Sequence, residues 1–420
     1  MIKQRFGLAR LPHLIAACGL ICAAAVAHAQ DPVKIGCVLP LSGGSAAVGE
    51  QTRVGILAAV NQINKTGGIE SMGGAKLEAV FGDSQSKADV GVSETERLIQ
   101  RENVPVLCGA FNSSVTYPST EIAERNKTPW IVVGSVKDEI TERGFKYIFR
   151  INNKATYDAN EQIESMKLLA KETGKSVKRV AMLFEGGDWG RSHAENIRTL
   201  LKENNMELVF DEALPAHQVD LTSQLLKIRA SRPDALILAV YTPDQLLFTR
   251  QFTQQKLDIP YGVHSVGGGT EDPSFYAAID AKDVAYYFVQ EDWQVDMLEV
   301  NKDPLLHEMN DFAKKQLGYD MSAYVAQGIT SVYVIKDALE RAGSADREKL
   351  RDALAQTDIT EGPALFTGYQ RIKFDENGQN TFAHGVISQN LDGKRRAIWP
   401  IENRGDDVKP AWPVPKWSER

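Results

Sequence analysis

Short runs of β-branched residues recur along this chain about every 25 to 35 residues, each followed by a stretch of helical length. That spacing is the signature of βαβ units, which build parallel sheets with helices on both faces. In the first part, strands are expected at Ile35 to Leu39, Leu77 to Phe81, Val104 to Gly109, Trp130 to Val133 and Tyr147 to Arg150. Helices are expected between them at Gly49 to Asn64, closed by Gly67-Gly68, and at Lys87 to Arg101 and Val115 to Asn126. Glycine directly after a helix supplies the left-handed residue that ends it.

A second series begins after Asn152-Asn153. Strands are expected at Val180 to Phe184, Leu208 to Glu212, Ala235 to Val240 and Pro260 to Val263, alternating with helices at Tyr157 to Glu172, Arg191 to Asn204, Leu221 to Ser231 and Pro243 to Gln255. Three helices follow, Pro304 to Leu317, Tyr324 to Ala342 and Asp346 to Ala355, and then strands at Gln370 to Phe374 and Gly385 to Asn390. The fold class is therefore α/β, with two doubly wound, Rossmann-like lobes that the chain visits twice. Three prolines between Pro410 and Pro415 keep the tail from being helical. It is expected to lie as an extended strap on one lobe, with a partner-binding peptide as the alternative.

The first residues bound the compartment. Lys3, Arg5 and Arg10 precede an apolar stretch from Leu11 to Val26, and Ala27-His28-Ala29 forms a small-x-small cleavage site, so residues 1–29 read as a signal peptide. Ile15-Ala16-Ala17-Cys18 also resembles a lipobox, but the residues after Cys18 stay apolar where a lipid-anchored chain has a polar tether. No other segment approaches the roughly 18 apolar residues of a membrane span. Cleavage removes three positive charges and takes the formal charge from −7 to −10. A nucleic-acid partner would demand a basic face and is not expected. With 43% hydrophobic and 25% charged residues the chain has ordinary globular composition, which argues against disorder. Export makes a disulfide between Cys37 and Cys108 possible, and two buried free thiols are the alternative.

Ligands of open parallel sheets bind beyond the carboxyl ends of the strands. Small and polar residues collect at those ends here: Ser42 after the first strand, Asn112-Ser113-Ser114 after the third, and Gly134-Ser135-Val136 after the fourth. Hydroxyls beside the free N–H groups of a helix start suit an anion, although the same residues also serve as plain caps. In the second series, Glu185-Gly186-Gly187-Asp188-Trp189-Gly190 sets a tryptophan among glycines, a flat platform for an apolar or aromatic ligand. Tyr241 follows the same logic, and His264 reads as a solvated loop residue or a hydrogen-bond donor in the cleft.

Catalytic chemistry is not legible. There is no G-x-S-x-G, no G-x-x-x-x-G-K-[ST], no H-E-x-x-H and no G-x-G-x-x-G opening a helix after the first strand. Of seven histidines, two fall in the signal, and no pair has metal-ligand spacing. Neither an enzyme, a cofactor nor a metal is expected.

Taken in order, Ile35 to Gly43 leading into Gly49, Leu107-Cys108-Gly109 to Ser113-Ser114 and Pro118, Thr128-Pro129-Trp130-Ile131, Phe149-Arg150, Asp188-Trp189-Gly190 and Tyr324 to Ser344 resemble the leucine/isoleucine/valine-binding family of ABC-transporter substrate-binding proteins. The resemblance implies a type I periplasmic binding fold: two lobes joined by three crossovers, here near Asn152, Gln290 and Gly368. It assigns residues 30–152 and 293–364 to the N-terminal lobe and 153–290 and 368–420 to the C-terminal lobe. It also implies a periplasmic monomer that hands a small molecule to a permease.

Carried over by position, Ser113, Ser114 and Gly134 to Val136 would hold a ligand carboxylate. Tyr157, Trp189, Tyr241 and His264 would serve from the second lobe and hinge. Two departures stand out: Val136 where amino-acid binders of the family commonly have a hydroxyl, and His264 where they have a carboxylate for the ligand ammonium. A histidine cannot neutralise an ammonium, so the expected ligand is an aromatic or apolar carboxylate. A branched-chain or other amino acid, or an amide or urea, is the alternative within the family. The ligand-sensing domain of a receptor is the alternative of another class.

Overall fold

The computed structural model describes residues 1–2, 31–215, 218–293 and 297–420. The signal peptide and its cleavage site lie outside the described residues. The first lobe runs through β1 (Val33–Leu39), α1 (Ala46–Lys65), β2 (Leu77–Asp83), α2 (Ala88–Gln100), β3 (Val106–Ala110), α3 (Ser113–Arg125), β4 (Trp130–Val133), α4 (Glu139–Glu142) and β5 (Ile148–Arg150). These strands pair in parallel in the order β2-β1-β3-β4-β5, as β-branched runs separated by helices require. Cys37 on β1 and Cys108 on β3 face each other in the ladder with Cα atoms 4.6 Å apart and are disulfide-bonded, which settles the choice left open by the sequence.

The second lobe continues with α5 (Ala155–Thr173), β6 (Arg179–Glu185), α6 (Asp188–Glu203), β7 (Glu207–Leu214), α7 (Thr222–Ser231), β8 (Ala235–Ala239), α8 (Thr242–Gln255) and β9 (Val263–Val266). Two short helices, α9 (Gly268–Glu271) and α10 (Pro273–Ala277), lead to β10 (Phe288–Glu291). The chain then returns to the first lobe through α11 (Met297–Val300), α12 (Pro304–Leu317), α13 (Ala323–Ala342), α14 (Arg347–Ala355) and the small pair β11 (Asp358–Ile359) and β12 (Ile372–Lys373). It ends in the second lobe with β13 (Val386–Leu391) and β14 (Lys394–Trp399). The seven-stranded sheet has the order β14-β13-β10-β9-β8-β6-β7, with β13 and β14 antiparallel.

Helix α13 closes the first core. Val325, Ile329, Val332 and Ile335 are fully buried, and α13 approaches α1 so closely that a Cβ on Gly55 would lie 2.1 Å from the Val325 carbonyl oxygen. The third passage between lobes departs from expectation. Ile372 and Phe374 belong to the first core, and Arg150 N–H donates to the Gly378 carbonyl at 2.8 Å, so the chain crosses after Asn380 rather than near Gly368. Arg150, fully buried, ties the first and third passages: its Nε donates to Gln379 Oε1 at 2.6 Å, and its other nitrogens to the Lys137 carbonyl at 2.7 Å and Thr141 Oγ1 at 2.8 Å. Burial lowers its pKa to about 10, which leaves it charged at neutral pH.

The tail is an extended strap on the second lobe. Trp412 stacks on Tyr261 at 4.6 Å and donates from Nε1 to the Lys175 carbonyl, and Trp417 Nε1 donates to the Leu257 carbonyl, both at 2.8 Å.

Candidate functional site

The strand ends of both lobes converge on one narrow chamber. The first lobe contributes Phe111 and Ser113 from the β3–α3 turn, Gly134 and Val136 from the end of β4, and Tyr324 and Gln327 from α13. From the second lobe come Asp158 on α5, Trp189 on α6, Tyr241 after β8, Val266, Gly267, Gly268 and Glu271 around the end of β9, and Gln290 and Asp292 from β10 and just beyond it. The lobes meet around it: Lys137 pairs with Asp188 at 3.2 Å, and Gln51 Nε2 donates to Asp272 Oδ1 at 2.9 Å.

Four rings form a continuous wall across the lobe boundary. Trp189 lies 4.9 Å from Tyr241, Tyr241 lies 5.7 Å from Phe111, and Phe111 meets Tyr324 edge-on at 5.4 Å. The wall constrains the backbone opposite it. Gly267 has φ +78°, and a Cβ there would stand 2.3 Å from the Trp189 ring, so any larger residue would displace the indole.

The hinge side of the chamber is acidic. Asp158 accepts from Asn153 Nδ2 at 2.9 Å, and Asp292 accepts from Gln327 Nε2 at 2.7 Å. Behind them, Glu161 accepts from Gln290 Nε2 at 2.7 Å and from the Gly385 N–H at 2.9 Å. No lysine or arginine forms an ion pair with Asp158, Glu161, Glu271 or Asp292 among the described residues, and the nearby Arg395 pairs with Glu291 at 2.5 Å. Burial and mutual repulsion therefore hold these carboxyls high. Glu161 rises to about 8 and Asp292 to about 7, while Asp158 and Glu271 lie well above the usual carboxylate range.

Of the residues singled out from the sequence, Ser113, Gly134, Val136, Trp189 and Tyr241 line the chamber. The Ser113 hydroxyl oxygen accepts from the Lys137 N–H at 3.2 Å, which leaves its own proton free to donate. The others stand elsewhere. Ser42 donates to Asp83 at 2.6 Å, buried Ser135 donates to the Phe111 carbonyl at 2.8 Å, and Asn112 donates to Ser45 Oγ at 3.0 Å. Ser114 faces a separate outer groove, and the ring of Tyr157 lies under Lys154 Nζ at 5.2 Å.

His264 requires correction. The strand is Val263–Val266 rather than Pro260 to Val263, which moves His264 from a loop into the middle of β9. There it is 1% exposed, stacks on Phe288 at 4.3 Å with an interplanar angle of 2°, and has Nε2 2.9 Å from the Tyr261 carbonyl oxygen. Burial lowers its pKa to about 4, so it is a neutral core residue.

The acids missed by the sequence reading sit one step from residues it chose. Asp158 follows Tyr157, and the 100° turn between helical neighbours sends the carboxylate inward and the ring outward. Gln327 lies one turn beyond Tyr324. Glu271 comes after Gly267-Gly268-Gly269, whose sharp turn hides the strand end from any periodicity argument. Asp292 lies just past β10, a strand that the sequence pattern does not predict.

Two lobes that bury an aromatic and acidic chamber between strand ends define a clamshell solute binder. The comparisons with known proteins agree. The family model described as periplasmic binding protein matches residues 32–394. A Leu/Ile/Val-binding protein homolog 7 from Brucella abortus is 30% identical over 396 residues, 92% of this chain and 96% of the relative. Among solved structures, a leucine-binding protein LivK from Thermotoga maritima superposes with TM-score 0.74 at 23% identity, covering 87% of this chain and 97% of that one. A solute-binding protein of an ABC transporter from R. palustris, solved in complex with benzoate, also gives TM-score 0.74, at 19% identity, covering 87% of this chain and 95% of the other. The chain belongs to the periplasmic binding protein family, as a substrate-binding protein of the Leu/Ile/Val-binding type. The family's members bind solutes and are not enzymes.

Proposed function

We propose that this protein captures a small solute carrying both a carboxylate and a protonated nitrogen on an apolar or aromatic body, and delivers it to an ABC-transporter permease outside the cytoplasm. The observation that carries this is the pairing of two kinds of polar group in one chamber. Ser113 at the start of α3 offers a free donor and helix N–H groups to an anion, while Asp158, Glu271 and Asp292, which line the same chamber, offer acceptors to a cation. The four rings flank that space. An ammonium in a closed site must be paired, because an unpaired buried charge costs several kcal/mol. The amino-acid class, second in the sequence reading, thereby moves ahead of the aromatic acid without a nitrogen, whose case leaned on His264.

The aromatic or apolar carboxylate remains the second reading, favoured by the ring wall and by the benzoate-bound R. palustris neighbour. In that case the facing carboxyls would keep their protons when the ligand binds, as their raised pKa values allow. A melting screen separates the two: a ligand at a hundred times its Kd adds about 2.7 kcal/mol of stability. Amino acids should raise the melting temperature more than benzoate or 4-hydroxybenzoate at neutral pH. If benzoates stabilise and no amino acid does, the second reading takes over.

A further inference from the structure

We infer that the hinge side of the chamber is built for a planar, N–H-rich cation, so that the solute carries a guanidinium or amidinium group in addition to its carboxylate. The inference rests on the amino-acid-type reading above and narrows it to a strongly basic solute.

An α-ammonium alone leaves too many acceptors unfilled. It brings three N–H donors, and one carboxylate with a neighbouring carbonyl would satisfy it. The chamber instead presents carboxylates on Asp158, Glu271 and Asp292, together with two amide oxygens, Gln290 Oε1 and Gln327 Oε1, that are buried without a hydrogen-bond partner. Gln290 is 3% exposed and Gln327 is 1% exposed. Each spends its NH2 on a carboxylate, Gln290 on Glu161 and Gln327 on Asp292, which fixes the amide and leaves the oxygen as a spare acceptor. The Gln327 oxygen would lie 3.6 Å from a Cβ on Gly134, in ordinary contact with the end of β4.

Buried orphan acceptors are uncommon and costly in a folded protein. Two of them beside three carboxyls that have no ion-pair partner among the described residues describe a cavity that lacks positive charge and has acceptors to spare. A guanidinium brings five N–H donors in a rigid plane, stays charged in any physiological medium, and stacks on aromatic faces such as those of Phe111 and Tyr324. An extra ammonium would supply charge but neither the plane nor enough donors.

Calorimetric titration of the full exported chain with L-arginine, agmatine, L-citrulline and L-leucine tests this at neutral pH. L-arginine should bind at least 10-fold more tightly than L-citrulline, which keeps the shape and replaces the cation by a neutral urea. The variants Asp292→Asn and Glu271→Gln should each weaken arginine at least 10-fold and leave citrulline within 3-fold; two variants guard against one that fails to fold. If agmatine equals arginine, the cation site stands and the carboxylate half of the proposed function falls. Leucine binding without arginine binding overturns the cation site and leaves the proposed function intact. Binding of neither arginine nor agmatine overturns the inference whatever else binds.

Discussion

The two halves of the chamber are finished to different degrees. On the first lobe the polar groups around the site are spent within the protein: Asn112 on Ser45, Ser135 on the Phe111 carbonyl, and the Gly134 N–H on Asn152 Oδ1 at 2.9 Å. Across the hinge, Asp158, Glu161 and Asp292 have no ion-pair partner among the described residues and hold their protons against a pull toward ionisation. One half is mostly spent within the protein, with the Ser113 proton and the Gln327 oxygen left for a ligand. The other is a cost that a ligand removes, and such differential contact is what draws a two-lobed protein toward its closed state.

The largest expected effect breaks the spent half. Arg150→Leu strips donors from Gln379 Oε1, the Lys137 carbonyl and Thr141 and should destabilise the protein by about 3 kcal/mol in chemical denaturation, as loss of a buried hydrogen-bonded cation does. Next, Trp189→Ala removes the end of the ring wall and should cost ~1–3 kcal/mol of ligand binding by calorimetry, through lost stacking and buried area.

The unfinished half should show itself through pH. Glu161 at about 8 and Asp292 at about 7 hold protons in the folded state that the unfolded chain, with carboxyls near 4, has released. The folded state then binds more protons, so stability falls as pH rises through those values. Below about pH 6.5 buried His193 and His264, each lowered to about 4, act in the opposite sense. The fall in melting temperature is therefore expected between about pH 6.5 and 8, and Asp292→Asn should flatten it. A ligand-free protein whose melting temperature rises across that window would refute the account. The smallest effect on binding belongs to His264→Gln, expected to change affinity less than 3-fold while lowering stability, because the ring packs on Phe288 outside the chamber.

The parts of the fold legible in the sequence were those set by local pattern. The parallel strands of the first lobe, Trp189 on its glycine turn and the non-helical tail all follow from propensity and punctuation. What escaped was set by register and by long-range return. A three-residue shift of β9 carried His264 from the cleft to the core and brought Glu271 into the wall. Gln327 and Tyr324 reach the chamber only because α13 packs back on α1, a contact between segments far apart in the chain. No local rule states which face of such a helix will meet a cavity.

The order of elements has a consequence for biogenesis. The first core needs α13 and Phe374, and the second sheet needs β13 and β14 beside β10, sealed by Trp412 and Trp417. A ribosome releases these pieces last, so the earlier segments emerge with both interiors still open. A chain whose two cores are closed by its final hundred residues can complete neither interior until those residues arrive.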